Sequence, residues 1–250
     1  MNSSLELHKK EERLMKKFIA LLLTLLLALS AAAPALAEKQ TYRSLYSGEV
    51  TTLNYLTTTT TSEFGLLSNL IDTLVESDRY GQLQPCLAES WEASADGLTW
   101  TFHLRQGVQW VDAQGNAVAE VTAHDFVTAA EYILNAQHAS GSAKTLYKII
   151  VGAKEYYDGT ATPKEGEQPA PKTEWDTVGV KAPDDYTLQY TLKNPVAYFL
   201  SMVDNQAFMP VYGPFLTEKG EQFGLATGND TLLYCGAYTL TEFKPQETRV

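Results

Sequence analysis

Leu87-Ala88-Glu89-Ser90-Trp91-Glu92-Ala93, a short polar link, and then Asp96-Gly97-Leu98-Thr99-Trp100-Thr101-Phe102-His103-Leu104 form the stretch that decides the fold. Leu98, Trp100, Phe102 and Leu104 fall on one side of an alternating pattern, and Thr99, Thr101 and His103 on the other. That is a half-buried strand of period two. Asp96-Gly97 supplies the residues a tight hairpin turn demands, so the strand pairs back on Glu89–Ala93. Arg105-Gln106-Gly107 then turns the chain into Val108-Gln109-Trp110.

Outward from this hairpin, strands and helices alternate without a regular βαβ rhythm. Residues 41–56 alternate loosely around Gly48 and read as strand, turn and strand. Thr57 to Thr61 are five β-branched residues, which favour extended backbone; they read as an exposed edge strand or loop. Ser62 stands at a helix cap position with Glu63 in the first turn. Leu66, Leu67, Leu70, Ile71, Leu74 and Val75 extend that helix to about Ser77, and Arg79-Tyr80-Gly81 turns the chain. Thr122 with Asp125 forms a capping box, followed by the stripe Phe126, Ala130, Ile133 and Leu134. Residues 158–176 are rich in Gly, Pro, Thr, Lys and Glu and predict a flexible loop. Val178 and Val180 lead through Pro183-Asp184-Asp185 to Leu188, Tyr190 and Leu192, a second hairpin. Asn194-Pro195 predicts a helix start with apolar face Val196, Phe199, Leu200 and Val203. Gly236 to Phe243 reads as a strand. The order predicts an α+β fold with a mixed sheet, and no repeat is visible.

The N-terminal segment reads as an address. Lys16-Lys17 precedes the apolar run Phe18 to Leu29, and Ala35-Leu36-Ala37 supplies a cleavage site before Glu38. The run is shorter than the ~20 residues that cross a bilayer. Residues 1–37 are therefore expected to be a cleaved signal peptide, with an uncleaved anchor as the alternative, since the run plus the Ala stretch approaches the spanning length. Residues 1–14 fit poorly ahead of it; Met15 is the natural start, so 1–14 need not be translated. Lys+Arg total 19 and Asp+Glu 30, a net charge of −11. Without residues 1–37 the balance is 14 bases to 27 acids, or −13. Such acidity argues against a nucleic-acid partner and against docking on anionic lipid.

No nucleotide-binding glycine loop and no Gly-x-Ser-x-Gly elbow is present. His103, His124 and His138 lack helical metal spacing, so no metal ligand set is assigned. Asp184-Asp185 is better explained by a turn than by paired carboxylates. Cys86 and Cys235 could remain free thiols or form a disulfide. Neither has a neighbouring histidine, so neither reads as a nucleophile. Trp91, Trp100, Trp110 and Trp175 read first as packing residues, with ligand stacking as the alternative. No catalytic residue and no cofactor is assigned.

The stretch 87–110 also closely resembles the signature of the family 5 solute-binding proteins, the oligopeptide- and dipeptide-binding components of ABC importers. The resemblance continues at Val121–Val127, Val180–Leu188, Asn194–Leu200 and Gly236–Leu240, and covers nearly all of residues 40–250. Two places depart from the pattern. Val111 to Glu120 is longer than the usual link and lacks its proline, and Cys235 stands where Asn is usual.

The resemblance implies a periplasmic-binding-protein-like lobe, the N-terminal half of a two-lobed receptor. Residues 38–61 would start lobe I, 62–176 would form a smaller inserted subdomain with the loop 158–176, and 177–250 would return to lobe I, incomplete. The opposite lobe would lie beyond Val250. The implied ligand is a peptide held mainly through its backbone, like an added strand. An ungapped match over Leu53–Leu74 puts the ligand-pairing segment at Thr59, Thr60 and Thr61. No charged anchor falls in this stretch. The implied protein is an extracytoplasmic monomer that delivers peptides to a membrane permease. The alternatives are a receptor for a nickel chelate, haem or an oligosaccharide, a secreted hydrolase, and a surface adhesion or chaperone-like protein.

Overall fold

The computed structural model describes residues 14–17, 48–244 and 248–249. Contacts divide the chain into Met1–Leu45 and Tyr46–Val250. Of the first unit only a helical turn at 14–17 is described. The rest of the expected signal peptide lies outside the described residues, as do residues 41–47 of the expected first strand pair. No described helix is long and apolar enough to cross a membrane.

In the second unit, β1 (Val75–Ser77) and β2 (Leu83–Pro85) pair antiparallel. They lead into β3 (Ala88–Ala93) and β4 (Thr99–Leu104), the hairpin expected from the alternation. Gly97 takes the positive φ of 68° that its turn requires. The segment Gln109–Val111 (β5) pairs with Ala117–Glu120 (β6). The unusually long link is therefore a further hairpin, its turn tied by Asp112, which accepts from the Gln114 and Asn116 N–H groups at 2.9 Å each.

Strands β7 (Val180–Asp184) and β8 (Thr187–Thr191) complete a four-stranded antiparallel sheet of order β3-β4-β8-β7. Phe102 faces Trp91 on one side and Leu188 on the other. The sheet's apolar face is fully buried at Phe102, Leu188, Val180 and Tyr190. Tyr190, Phe199 and Phe208 pack there edge to face, with centroids 5.5–5.8 Å apart. A helix at Ala123–Leu134 lies along the sheet and buries the expected stripe. Its first turn is held by Asp125, whose Oδ2 accepts Thr122 N–H at 2.9 Å and Trp110 Nε1–H at 3.0 Å. Burial pushes this carboxyl up to about 6, despite those two hydrogen bonds.

Several expected elements are shorter or differ. The helix expected from Ser62 to Ser77 spans only Thr61–Leu67, with Thr60 rather than Ser62 at the cap position. Leu70, Ile71, Leu74 and Val75 are buried as a helix face would be. Their carbonyls, however, serve other segments. Leu70 O accepts from Cys235 and Gly236 N–H, and Leu74 O from Cys86 and Ala88 N–H. Between residues 48 and 56, Thr52 forms only an isolated bridge to Leu225. Asn194-Pro195 does not open a helix; the short one present is Phe199–Met202. From Gly236 to Phe243 the chain is irregular up to the two-residue strand Phe243–Lys244.

Residues 158–160 close the helix Ala153–Thr160, and 161–174 have no regular element. That loop returns to the helix. A Cβ on Gly159 would lie 2.8 Å from Pro171 O, and Trp175 packs edge to face on Tyr156 at 5.1 Å.

Candidate functional site

The five threonines divide by what their backbone groups do. Asn54 builds a turn ahead of them, its carbonyl accepting from both Thr57 and Thr58 N–H at 3.1 Å. Thr57 C=O accepts Gly141 N–H at 3.0 Å, and Thr58 C=O accepts Gln206 Nε2–H at 2.7 Å. Thr60 N–H donates to the Thr58 hydroxyl at 3.1 Å, and Thr60 C=O accepts Phe64 N–H at 2.9 Å. Thr57, Thr58 and Thr60 are thus satisfied at both backbone groups. Thr59 N–H, Thr59 C=O and Thr61 N–H have no partner among the described residues, and both residues are exposed. The run is therefore a turn, an extended link and a helix start, with three open backbone groups on Thr59 and Thr61.

Glu63 holds that conformation from beneath. It is 1% exposed. Its Oε1 accepts Thr51 Oγ1 at 2.6 Å, Thr51 N–H at 2.9 Å and Thr52 N–H at 3.2 Å. Its Oε2 accepts the Thr58 hydroxyl. Burial alone would raise this carboxyl, but the Thr51 and Thr58 hydroxyls and the two N–H groups outweigh it and hold it below the ordinary 4.5.

Beside Thr59 and Thr61 lies an open groove of about 280 Å³, walled by Phe64, Gly141, Ser142, Thr145, Asn205 and Gln206. None of these side chains is ionisable. The segment 140–142 is drawn close: Ser140 Oγ donates to Leu56 O at 2.5 Å. A Cβ on Gly141 would stand 2.7 Å from Thr59 Cγ2, so a larger residue there would push the exposed Thr59 side chain aside. Gln206 sits at the first position of a 3₁₀ turn, Gln206–Phe208, capped by Asn205 Oδ1 accepting Ala207 N–H at 3.1 Å. The arrangement offers hydrogen bonds from uncharged groups to an extended ligand; it holds no nucleophile beside a base.

Gln206, Gly141 and Asn54 do not stand out in the sequence as site residues. Ser140-Gly141-Ser142 carries a turn signal but nothing that ties it to the threonines, and no local signal marks Gln206. The histidines are dispersed: His103 on Glu92 at 3.1 Å, His124 on Asp185 at 3.3 Å, and His138 Nδ1 on Tyr132 O at 2.8 Å. No metal-holding cluster occurs among the described residues. Asp184 closes its strand and accepts Tyr186 N–H at 2.9 Å, as the turn reading expects. Cys86 and Cys235 are free thiols. Burial, then the nearby Asp72 carboxylate, pushes Cys86 up to about 12; burial also raises Cys235. Both stay protonated, which suits packing rather than attack.

Known proteins match this chain along most of its length. The family model described as bacterial extracellular solute-binding proteins, family 5 Middle, matches residues 82–250. The oligopeptide-binding protein AmiA of Streptococcus pneumoniae is 39% identical over 199 residues, covering 80% of this chain and 28% of its own. The substrate-binding domain of an oligopeptide ABC transporter from Bacillus anthracis superposes with a TM-score of 0.71 at 31% identity, covering 85% of this chain and 37% of that one. Haemophilus influenzae OppA, solved in complex with the peptide RPPGFSPFR, superposes with a TM-score of 0.66 at 31% identity, covering 81% and 36%. The chain thus spans roughly a third of the length of these proteins, and its fold is that of the periplasmic-binding-protein-like receptors.

Proposed function

The chain belongs to the bacterial extracellular solute-binding proteins of family 5, and from that premise we propose that it is part of an importer's peptide receptor, binding peptides chiefly through their backbone. The observation that carries this is the open edge: two donors and one acceptor of the main chain, unpaired and exposed at Thr59 and Thr61, beside an uncharged groove. A ligand peptide presents the complementary groups at every residue, whatever its side chains. Pairing of this kind gives affinity with broad tolerance of sequence. The relatives, which include oligopeptide-binding proteins and a peptide complex, support the same ligand class. Thr59 to Thr61 would be the pairing segment, with Thr60 buttressing it rather than touching ligand. The protein would act outside the cytoplasm as a monomer after signal cleavage, and hand its ligand to a membrane permease without covalent chemistry.

Calorimetry on the complete gene product with a mixed peptide pool tests this. Heat of binding, a raised Tm and intact peptides after incubation are expected. Heat only with a nickel chelate, haem or an oligosaccharide would move the ligand class, and turnover of the peptides would replace the receptor with a hydrolase.

A further inference from the structure

We propose that Phe64 is a specificity-determining residue: its ring closes the uncharged groove against an acidic cavity behind it, so that the subsite beside the open edge takes an apolar ligand side chain and refuses a cationic one. The inference rests on the peptide-receptor function above. Phe64 N–H donates to Thr60 C=O at 2.9 Å in the first turn of the helix Thr61–Leu67, so its ring is fixed relative to the open groups of Thr59 and Thr61. Phe64 is half-buried against the core. No other aromatic ring packs on it among the described residues. Two hollows share this ring. One is the groove of about 280 Å³, whose wall carries no ionisable side chain. The other is a cavity of about 220 Å³ lined by Asp72, Glu76 and Asp204 together with Cys86 and Met209. The two also adjoin along the chain, with Asp204 in the wall of the second and Asn205 in the wall of the first.

A ligand strand paired at Thr59 turns successive side chains to opposite faces, and one of them meets the groove. The polar groups it finds there are already engaged. Ser142 Oγ accepts from Gln206 Nε2 at 3.2 Å, Ser142 N–H donates to Ser140 Oγ at 3.2 Å, and Asn205 Oδ1 accepts Ala207 N–H at 3.1 Å. Gln206 Oε1 has no partner, but it is buried and so closed to the ligand as well. A charge brought against these walls loses water and gains no opposite charge. An apolar stem loses nothing there and gains the face of Phe64. The carboxylates that would attract an ammonium, those of Asp72, Glu76 and Asp204, stand behind the ring, Asp204 accepting Ser77 Oγ–H at 2.9 Å. With the ring in place a lysine side chain in the groove cannot reach them; without it the groove opens onto them.

The test uses the complete gene product and calorimetry with pentaalanine and with its derivatives carrying one norleucine or one lysine at each position in turn. The two side chains share a stem of the same length, to which lysine adds an ammonium. A buried methylene strengthens binding about fourfold, and an open groove covers only part of what norleucine adds to alanine, so one position is expected to gain roughly tenfold with norleucine. Lysine at that position should bind at least about threefold more weakly than norleucine. In Phe64→Ala the norleucine gain shrinks and lysine overtakes it, by a margin that fades between about 0.05 and 0.5 M salt. Phe64→Leu, which keeps the partition apolar and closed, should retain the wild-type order. A purely structural role would weaken both peptides alike and leave their order unchanged. Phe64→Val replaces Phe64→Ala if the latter does not fold. Thr145→Asp, which sets a carboxylate on the half-buried wall of the groove itself, should also put lysine ahead. Wild type with no position at which norleucine exceeds lysine, or an unchanged order in Thr145→Asp, overturns the subsite; an unchanged order in Phe64→Ala or Phe64→Val overturns the role of the ring. Each of these leaves the peptide receptor standing. Wild type that binds none of the series overturns both.

Discussion

Replacing Glu63 with glutamine perturbs the threonine segment without touching the groove. The carboxylate accepts four hydrogen bonds, three on Oε1 from Thr51 and Thr52 and one on Oε2 from Thr58. In Glu63→Gln the side-chain amide keeps one acceptor oxygen, so three bonds survive as neutral ones and the fourth meets a donor instead of an acceptor. A hydrogen bond to a charged group contributes ~1.5–3 kcal/mol and a neutral one ~0.5–1.5 kcal/mol. One lost and three weakened bonds, partly offset by relaxation at the exposed Thr51 end, amount to about 3 kcal/mol at pH 7. The pH dependence makes the experiment decisive. Glu63 titrates below its ordinary 4.5 when folded, so its stabilisation is complete above that pH and is lost as pH falls through the folded value. Urea unfolding of Glu63→Gln and wild type should therefore differ by about 3 kcal/mol at pH 7 and by progressively less at acid pH, as the wild-type carboxylate takes up its proton. Peptide affinity at pH 7 should fall several-fold, because the Thr58 hydroxyl also holds Thr60 N–H. An equal difference at pH 7 and at acid pH, or a variant as stable as wild type at pH 7, would refute the role assigned to the carboxylate.

Thr59→Pro removes a free donor of the edge and should cut peptide affinity roughly tenfold, whereas Thr60→Pro removes a donor already spent on Thr58 and should cost about 1 kcal/mol of stability with less effect on binding; calorimetry and urea melts separate the two. Asp125 titrates at about 6 against an ordinary 3.8. The folded state thus holds this proton more tightly, and its contribution is full below pH 3.8 and lost as pH rises through about 6. The loss, at most roughly 3 kcal/mol, should be absent from Asp125→Asn in denaturation curves taken between about pH 4 and 7. Cys86 and Cys235 should resist iodoacetamide at about pH 8 in the folded protein and react on unfolding, read by intact mass; rapid native labelling would contradict their burial.

The hairpins are legible because their information is local. Alternation, Asp96-Gly97 and Pro183-Asp184-Asp185 lie within a few residues of the strands they join, and both hairpins form in the expected place. The same holds for the Thr122 and Asp125 start of the long helix. The Leu66 to Val75 stripe shows the limit of periodicity. Its residues are buried as a helix face predicts, but the carbonyls of Leu70 and Leu74 find their partners at 86, 88, 235 and 236 rather than four positions along. Apolar spacing reports what is buried and is silent on which backbone groups pair, so a helix and a folded loop over the same core read alike.

The threonine run repeats that lesson at the site. Its composition announces extended backbone, and the family resemblance puts ligand there, but neither distinguishes five equivalent residues. The distinction comes from groups distant in sequence: Gly141 on Thr57, Gln206 on Thr58, and Glu63 drawing Thr58 toward residues 51 and 52. Each contact removes one backbone or hydroxyl group from the surface, and what is left over, at Thr59 and Thr61, is the part we propose to pair with ligand. A receptor that grips main chain must keep most of its own edge closed, because an edge open at every residue would pair in several registers and with other chains as readily as with its ligand. Gln206 on Thr58 C=O and Gly141 on Thr57 C=O are in this reading the means by which a low-complexity stretch leaves only Thr59 and Thr61 open.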